Sequence, residues 1–267
     1  MRINFITNIP ADEISGGISG MSNAAFGALS GIAEVNYIGP VNPPRDRFAD
    51  LSSKALKVCR LPRPFVFFSR QRLETIASQV GERCWKDADL DFYMGFTPWV
   101  LCKSSRPYVA WNDCTFEDYI RIYHDPKGFA RSSISRILGM EAEWMASALR
   151  IYLSSEWAAK RSLSQYELNA QRVDSVGIFG GMTAPEKDLW DGSKDFYFIS
   201  TDYRRKNGGL CRQAMNKVWE RFPEARLRII GDKPPESDLV PDRVTYEGFF
   251  NKSNERGLEV FRGHLAK

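Results

Sequence analysis

The sequence predicts an α/β chain of two lobes, each a parallel sheet wrapped by helices, with the second lobe incomplete. Three observations carry that expectation. Runs of β character alternate with runs of helical spacing along nearly the whole chain, the pattern of strand-helix-strand units. A Gly-, Pro- and charge-rich stretch, GIFGGMTAPEKDLWDGSK, interrupts the alternation, and the same pattern then restarts. The length of 267 residues also exceeds the roughly 100 to 200 of one ordinary domain. The expected boundaries are a first lobe over 1–178, a linker over 179–194 and a partial second lobe over 195–267.

Arg2 to Thr7 is the first strand. The loop NIPADEISGG follows it, and then a helix in which Ile18, Met21, Ala25 and Leu29 recur on one face. Glu34 to Ile38 is a second strand that ends at a Gly-Pro turn. A helix is expected near Arg70 to Trp85, a strand near Asp91 to Gly95, and another over RPYVAW from Arg106 to Trp111. A long helix over Gly128 to Arg150 leads into the strand RIYLSS and a helix beginning SEWAAKRSL, with Ser155 as N-cap and Glu156 set favourably against the helix dipole. The strand QRVDSVG closes the lobe.

The second lobe opens with the strand Asp195 to Thr201, the basic loop DYRRKNGG and a helix from Leu210 to Phe222. The strand ARLRIIGD, the loop KPPESDLVPD, the strand RVTYEG and a helix near Ser253 to Leu265 complete it. Its three strands fall short of the five or six of a doubly wound sheet. An open strand edge and an uncovered helix face of Leu258, Phe261 and Leu265 are therefore expected.

Composition excludes disorder, since 43% of residues are hydrophobic and 26% charged. A net charge of +4 is that of a solvated surface. It would also suit anionic ligands or a loose peripheral association with acidic lipid, and no nucleic-acid partner is expected. Cys59, Cys84, Cys102, Cys114 and Cys211 form no CxxC pair, so reduced, mostly buried thiols are expected. No apolar run has signal-peptide or membrane-span length, and a cytoplasmic location is the simplest inference.

Four constellations could carry chemistry. Gly16-Gly17, between the first strand and helix, would let a phosphate or sugar approach the backbone, and would equally serve a tight turn. Arg204-Arg205-Lys206 with Gly208-Gly209 repeats that placement, with cations to neutralise a diphosphate or simply to face water. Asp87, Asp89 and Asp91 suggest a hard-metal pair, but their position at a helix-to-strand junction favours solvated loop acids. Asn112 and Asp113, and Ser154, Ser155 and Glu156, lie past the ends of two strands, where ligands collect in open α/β sheets. Asp113 has a turn as its alternative use, Ser155 a cap, and Thr115 with Asp118 resembles a capping box. His124 and His264 have no metal-ligand neighbours and receive no role.

Together RPYVAWNDCTFEDY, IYLSSEWAAKRSL and FISTDYRRKNGGL…FPEARLRIIGD…VTYEGF resemble the group 1 (family 4) GT-B glycosyltransferases, in the family's order and at about its spacing. The resemblance implies two Rossmann-like lobes, the first for the acceptor and the second for a nucleotide-sugar. It implies transfer with retention and without metal, and no cofactor beyond the donor. Arg205, Lys206 and Gly17 would meet the donor diphosphate, Gly248 and Phe249 the nucleobase, and Gly16, Asp113 and Ser155 the saccharide or other acceptor. No catalytic residue is assigned beyond Asp113 as a candidate. Where many relatives carry a His this chain has Asn112-Asp113, and Ser200 replaces the glycine often found before the phosphate loop. The family continues into a glutamate-x7-glutamate motif about where His264-Leu265-Ala266-Lys267 ends the chain. A truncated donor lobe is expected on that basis. The alternative is a non-catalytic remnant that binds nucleotide weakly or pairs with another chain through the open sheet edge. A dehydrogenase or epimerase built on GxGxxG and Tyr-x-x-x-Lys lacks both signatures here.

Overall fold

The computed structural model describes residues 1–11, 18–178, 187 and 189–266. They divide into two compact units, the first holding 1–11 and 18–178, the second 187 and 189–266. Most of the expected linker, and Gly16-Gly17 with it, lies outside the described residues.

The first unit runs β1 (Arg2–Thr7), α1 (Ile18–Ser30), β2 (Glu34–Ile38), α2 (Arg47–Val58), α3 (Arg70–Arg83), β3 (Leu90–Met94), β4 (Tyr108–Asn112), α4 (Phe116–Tyr123), α5 (Arg131–Ser147), β5 (Arg150–Leu153), α6 (Glu156–Tyr166) and β6 (Val173–Ser175). Its six strands pair in the order β2-β1-β3-β4-β5-β6 and all are parallel. Both faces are covered: Phe5, Ala25, Met94 and Trp111 pack on one side, and Ile6, Ile38, Tyr93 and Ile151 on the other. Burial on both sides is why these strands read as continuous apolar runs. The order reverses at β1, with β2 on one flank and β3 on the other. Connections leaving such a reversal diverge to opposite faces and open a crevice beyond the strands' carboxyl ends.

Side-chain caps fix the helix starts. Ser155 accepts the Ala158 N–H as expected, Ser69 accepts that of Arg72, and Thr115 that of Asp118. The long helix is shorter than expected, because Pro126–Gly128 forms a separate 3-10 turn ahead of α5. The acidic run is also corrected in part. Asp91 is 2% exposed and receives the Asn4 amide at 2.7 Å, the Ser104 hydroxyl at 2.6 Å and the Arg106 guanidinium at 3.1 Å. It is a buried tie at the amino end of β3, while Asp89 accepts the Arg2 N–H and Asp87 pairs with the Arg2 side chain.

The second unit runs β7 (Asp195–Ser200), α7 (Gly208–Arg221), β8 (Arg226–Gly231), β9 (Val244–Gly248) and α8 (Glu255–Leu265). Its parallel sheet has the order β7-β8-β9. Tyr203, Met215, Trp219, Leu227, Ile229 and Val244 form its core. Arg228 bridges all three strands by pairing with Asp195 of β7 at 2.6 Å and Glu247 of β9 at 2.8 Å. The face expected to lie open on the last helix is partly closed. Phe261 is 6% exposed, with the Lys252 ammonium 4.9 Å from its ring centroid, and Leu258 is half-buried.

The cysteines are all free, but only Cys102 is buried, against the expectation for most of them. Burial pushes the Cys84 thiol up to about 11 and that of Cys102 up to about 12, so neither is a ready nucleophile.

Candidate functional site

Each unit opens a pocket at the carboxyl ends of its strands. In the first unit the pocket, of about 240 Å³, sits at the β1/β3 switch point. Thr7 and Asn8 follow β1, Met94 and Gly95 follow β3, Trp111 to Asp113 come from the end of β4, and Ser22 comes from α1. Gly95 turns the chain sharply at φ +93°, and its N–H bonds the Trp111 carbonyl at 2.7 Å. The turn brings Phe96 and Thr97 into the wall, opposite an aromatic group that includes Phe67 and Phe116.

A buried carboxylate fixes this wall from behind. Glu141 of α5 is fully buried and accepts from the Thr97 hydroxyl at 2.6 Å, the Phe116 N–H at 2.8 Å and the Tyr166 hydroxyl at 2.7 Å. It thereby joins the turn after β3, the start of α4 and the end of α6. Burial raises its pKa, and the three donors oppose that rise. Asp118, also fully buried, holds Arg161 at 2.9 Å and the Gln165 amide at 3.0 Å one turn further on. Sequence reasoning missed Glu141, yet a signal exists. Ile137, Glu141, Trp144 and Met145 lie on the buried stripe of α5, so the acid occupies a core position.

A pH dependence follows. A carboxyl whose folded pKa lies above its unfolded value binds protons more tightly when folded, so its contribution is present at low pH and is lost as pH rises through the folded pKa. Glu141→Gln should therefore gain stability relative to the parent as pH rises from about 4.5 toward neutrality. Urea midpoints of both proteins across that range check this. A constant difference between them would contradict the raised pKa.

Of the acceptor-side residues expected from the sequence, Asp113 lines the pocket. Ser155 does not line it and is spent on its cap, although the neighbouring Ser154 hydroxyl donates to the Asp113 carbonyl at 3.2 Å. The thiol of Cys114, next in the wall, is pushed up by burial and by Asp113 beside it.

The second unit's pocket, of about 700 Å³, lies between the loop after β7, the first turn of α7 and the loop after β8. Tyr203 organises it. Its N–H donates to Asp232 at 2.9 Å and its hydroxyl to Asp238 at 3.0 Å. A Cβ at Gly208 would lie 2.2 Å from the Tyr203 ring, so that glycine makes room for Tyr203, while Gly209 lines the pocket. Asn207, at φ 57°, turns the chain into α7. Among the basic residues the structure differs from the sequence reading. Arg205 is turned onto Asp202, through its N–H at 2.9 Å and its Nε at 3.1 Å, and neither it nor Lys206 lines the pocket. Arg204 and Lys233 do line it, the latter paired with Glu236 at 2.8 Å. Gly248, at φ +102°, and the exposed Phe249 sit at the carboxyl end of β9, outside this pocket wall.

Among the described residues no group of three or more His, Cys, Asp or Glu could hold a metal ion. No helix among them is long and apolar enough to cross a membrane.

The chain matches no protein-family model and no curated relative in sequence. Solved structures similar to it include S. aureus TarM in complex with UDP, at 13% identity and a TM-score of 0.40 over 61% of this chain. S. aureus MnaA with UDP is similar at 12% identity and a TM-score of 0.47 over 96% of this chain. The UDP-N-acetylglucosamine 2-epimerase of Rickettsia bellii is similar at 12% identity and a TM-score of 0.44 over 97%. The chain spans 34% of the TarM chain and 71% of that of MnaA. Likeness at this level fixes no chemistry, and the functional reading rests on the residues.

Proposed function

We propose that this chain carries the acceptor and donor pockets of a nucleotide-sugar-dependent glycosyltransferase of the family 4 type. The observation that supports this reading most is the second unit's strand, basic loop and helix start, where Arg204 and the first turn of α7 border one pocket. A diphosphate placed there meets a guanidinium and unpaired backbone N–H groups at a helix N-terminus. Lys206, exposed on the same loop, adds long-range charge. The acceptor occupies the switch-point pocket of the first unit.

In the reaction, an acceptor hydroxyl forms a bond to the anomeric carbon while the bond from that carbon to the diphosphate oxygen breaks. The nucleoside diphosphate leaves with the electron pair from the face the hydroxyl enters and takes up the hydroxyl proton, and Asp113, which lines the first unit's pocket, is the candidate to orient the acceptor. Charge develops on the leaving diphosphate, where the cationic loop has its largest effect. Transfer proceeds with retention, and needs neither metal nor cofactor.

A second reading, a non-catalytic nucleotide-binding or pairing module, draws on the acids of the same pocket. Asp232, Glu236 and Asp238 face Arg204 and Lys233, and Asp202 holds Arg205. The test is release of nucleoside diphosphate from a mixed pool of UDP- and GDP-sugars in the presence of a chelator. Release that falls at least tenfold in Arg204→Ala is expected. No release from a chain that still binds nucleotide favours the second reading.

A further inference from the structure

We infer that the first unit's pocket takes a compact, mostly apolar acceptor, a flat ring bearing one hydroxyl, and not a free saccharide. The inference rests on the glycosyltransferase reading for calling this ligand an acceptor, and on the pocket alone for its chemistry.

Size comes first. A cavity of roughly 150 Å³ lined by apolar side chains holds a benzene ring. At about 240 Å³ the pocket has room for a substituted or fused ring. Its surface suits one, since Phe67, Phe68, Met94, Phe96, Trp111 and Phe116 all contribute to the wall.

Hydrogen-bond capacity separates a ring alcohol from a sugar. The Thr7 hydroxyl donates to the Ile9 carbonyl at 2.8 Å, that of Thr97 to Glu141 at 2.6 Å, and that of Thr115 to Gln165 at 2.8 Å. The Asn112 amide is turned onto the Cys114 carbonyl at 2.7 Å. Four polar groups of the wall are therefore engaged by the protein itself. Asn8, Asp113, Tyr119 and Ser22 remain to meet a ligand, the first three of them at least partly exposed. Ser22 is the most informative of them. It is 0% exposed, and its Oγ has no hydrogen-bond partner among the described residues. An unpaired buried hydroxyl in a pocket wall is a vacant place for one polar atom. A hexopyranose, with about five hydroxyl groups, would set several of them against the apolar side chains of the wall, without partners.

The test uses the intact chain with 2-naphthol and methyl α-glucoside as probes, in ligand-observed NMR titrations without nucleotide. Naphthol should bind at millimolar concentration or below, and the glucoside should not bind at the same concentrations. Ser22→Ala should weaken naphthol about fivefold, the loss of one neutral hydrogen bond. Phe67→Ser, at a residue 37% exposed and so tolerant of change, should weaken it at least as much. Failure of naphthol to bind, tighter binding of the glucoside, or unchanged naphthol affinity in both variants would overturn the inference. A parallel UDP titration separates the two claims. UDP binding without naphthol binding sinks only the acceptor class, and naphthol binding without that of UDP or GDP sinks the donor reading.

Discussion

Asp91→Ala is expected to destabilise the first unit by about 3 kcal/mol, read from urea unfolding. The Asp91 and Arg106 side chains are 4% and 13% exposed, and they pair at 3.1 Å. Removing one partner of such a pair leaves the other charge buried and uncompensated, which costs roughly 3–5 kcal/mol. Arg106 keeps its bonds to the Trp85 carbonyl at 2.8 Å and the Lys86 carbonyl at 3.2 Å, so the lower end of that range applies. The Ser104 hydroxyl and the Asn4 amide, both now directed at Asp91, lose an acceptor in the same step. A loss below about 1 kcal/mol would mean that this tie between β1, β3 and the entry to β4 is solvated and weak.

Gly231→Ala should be the most damaging single change in the second unit. Two penalties act together. The residue sits at φ +112°, a conformation that costs a non-glycine residue about 1–3 kcal/mol. Its new Cβ would also lie 2.0 Å from the Ser200 carbonyl oxygen, a backbone atom that cannot rotate aside. Relief requires β7 and β8 to part where Ser200 pairs with Gly231 and where the Asp232 N–H bonds the Ser200 carbonyl at 2.7 Å. Asp232 anchors Tyr203, so the pocket should open as stability falls by about 3 kcal/mol or more. Thermal unfolding together with nucleotide titration checks both effects. Parent-like values in the two measurements would contradict the account of this turn.

The first unit's strands were legible because a parallel sheet covered on both faces makes each of them a short apolar run, as in YVAW. Caps such as Ser155 were legible because their chemistry is local. The helix α2 was not, and its packing explains why. A stripe of Phe48, Leu51 and Val58 does run along it at helical spacing, but that face is exposed and Ser53 is buried instead, so the stripe does not mark the side that packs.

The sites were readable to the loop but not to the side chain. The run Arg204-Arg205-Lys206 picks out a loop between strand and helix that borders the second unit's pocket. Which of its cations borders the pocket depends on Asp202 capturing Arg205 and on the turn at Asn207, neither of which spacing reveals. The glycines had the same ambiguity: Gly208 is required by the ring of Tyr203, a contact made through packing within the loop. Glu141 escaped because an acid in a long helix reads as surface, and only its place on the buried stripe of α5 distinguishes it from Glu143.

The most direct test of the proposal that the second unit's pocket holds a nucleotide-sugar is calorimetric titration of the intact chain with UDP and with GDP, repeated on Arg204→Ala and Lys206→Ala. The account predicts that at least one nucleotide binds with a Kd below about 1 mM. It predicts a loss of roughly tenfold in Arg204→Ala, the size of one charge-assisted phosphate contact, and a smaller loss in Lys206→Ala. Absence of binding by both nucleotides at millimolar concentration, or binding that Arg204→Ala leaves unchanged, would contradict it.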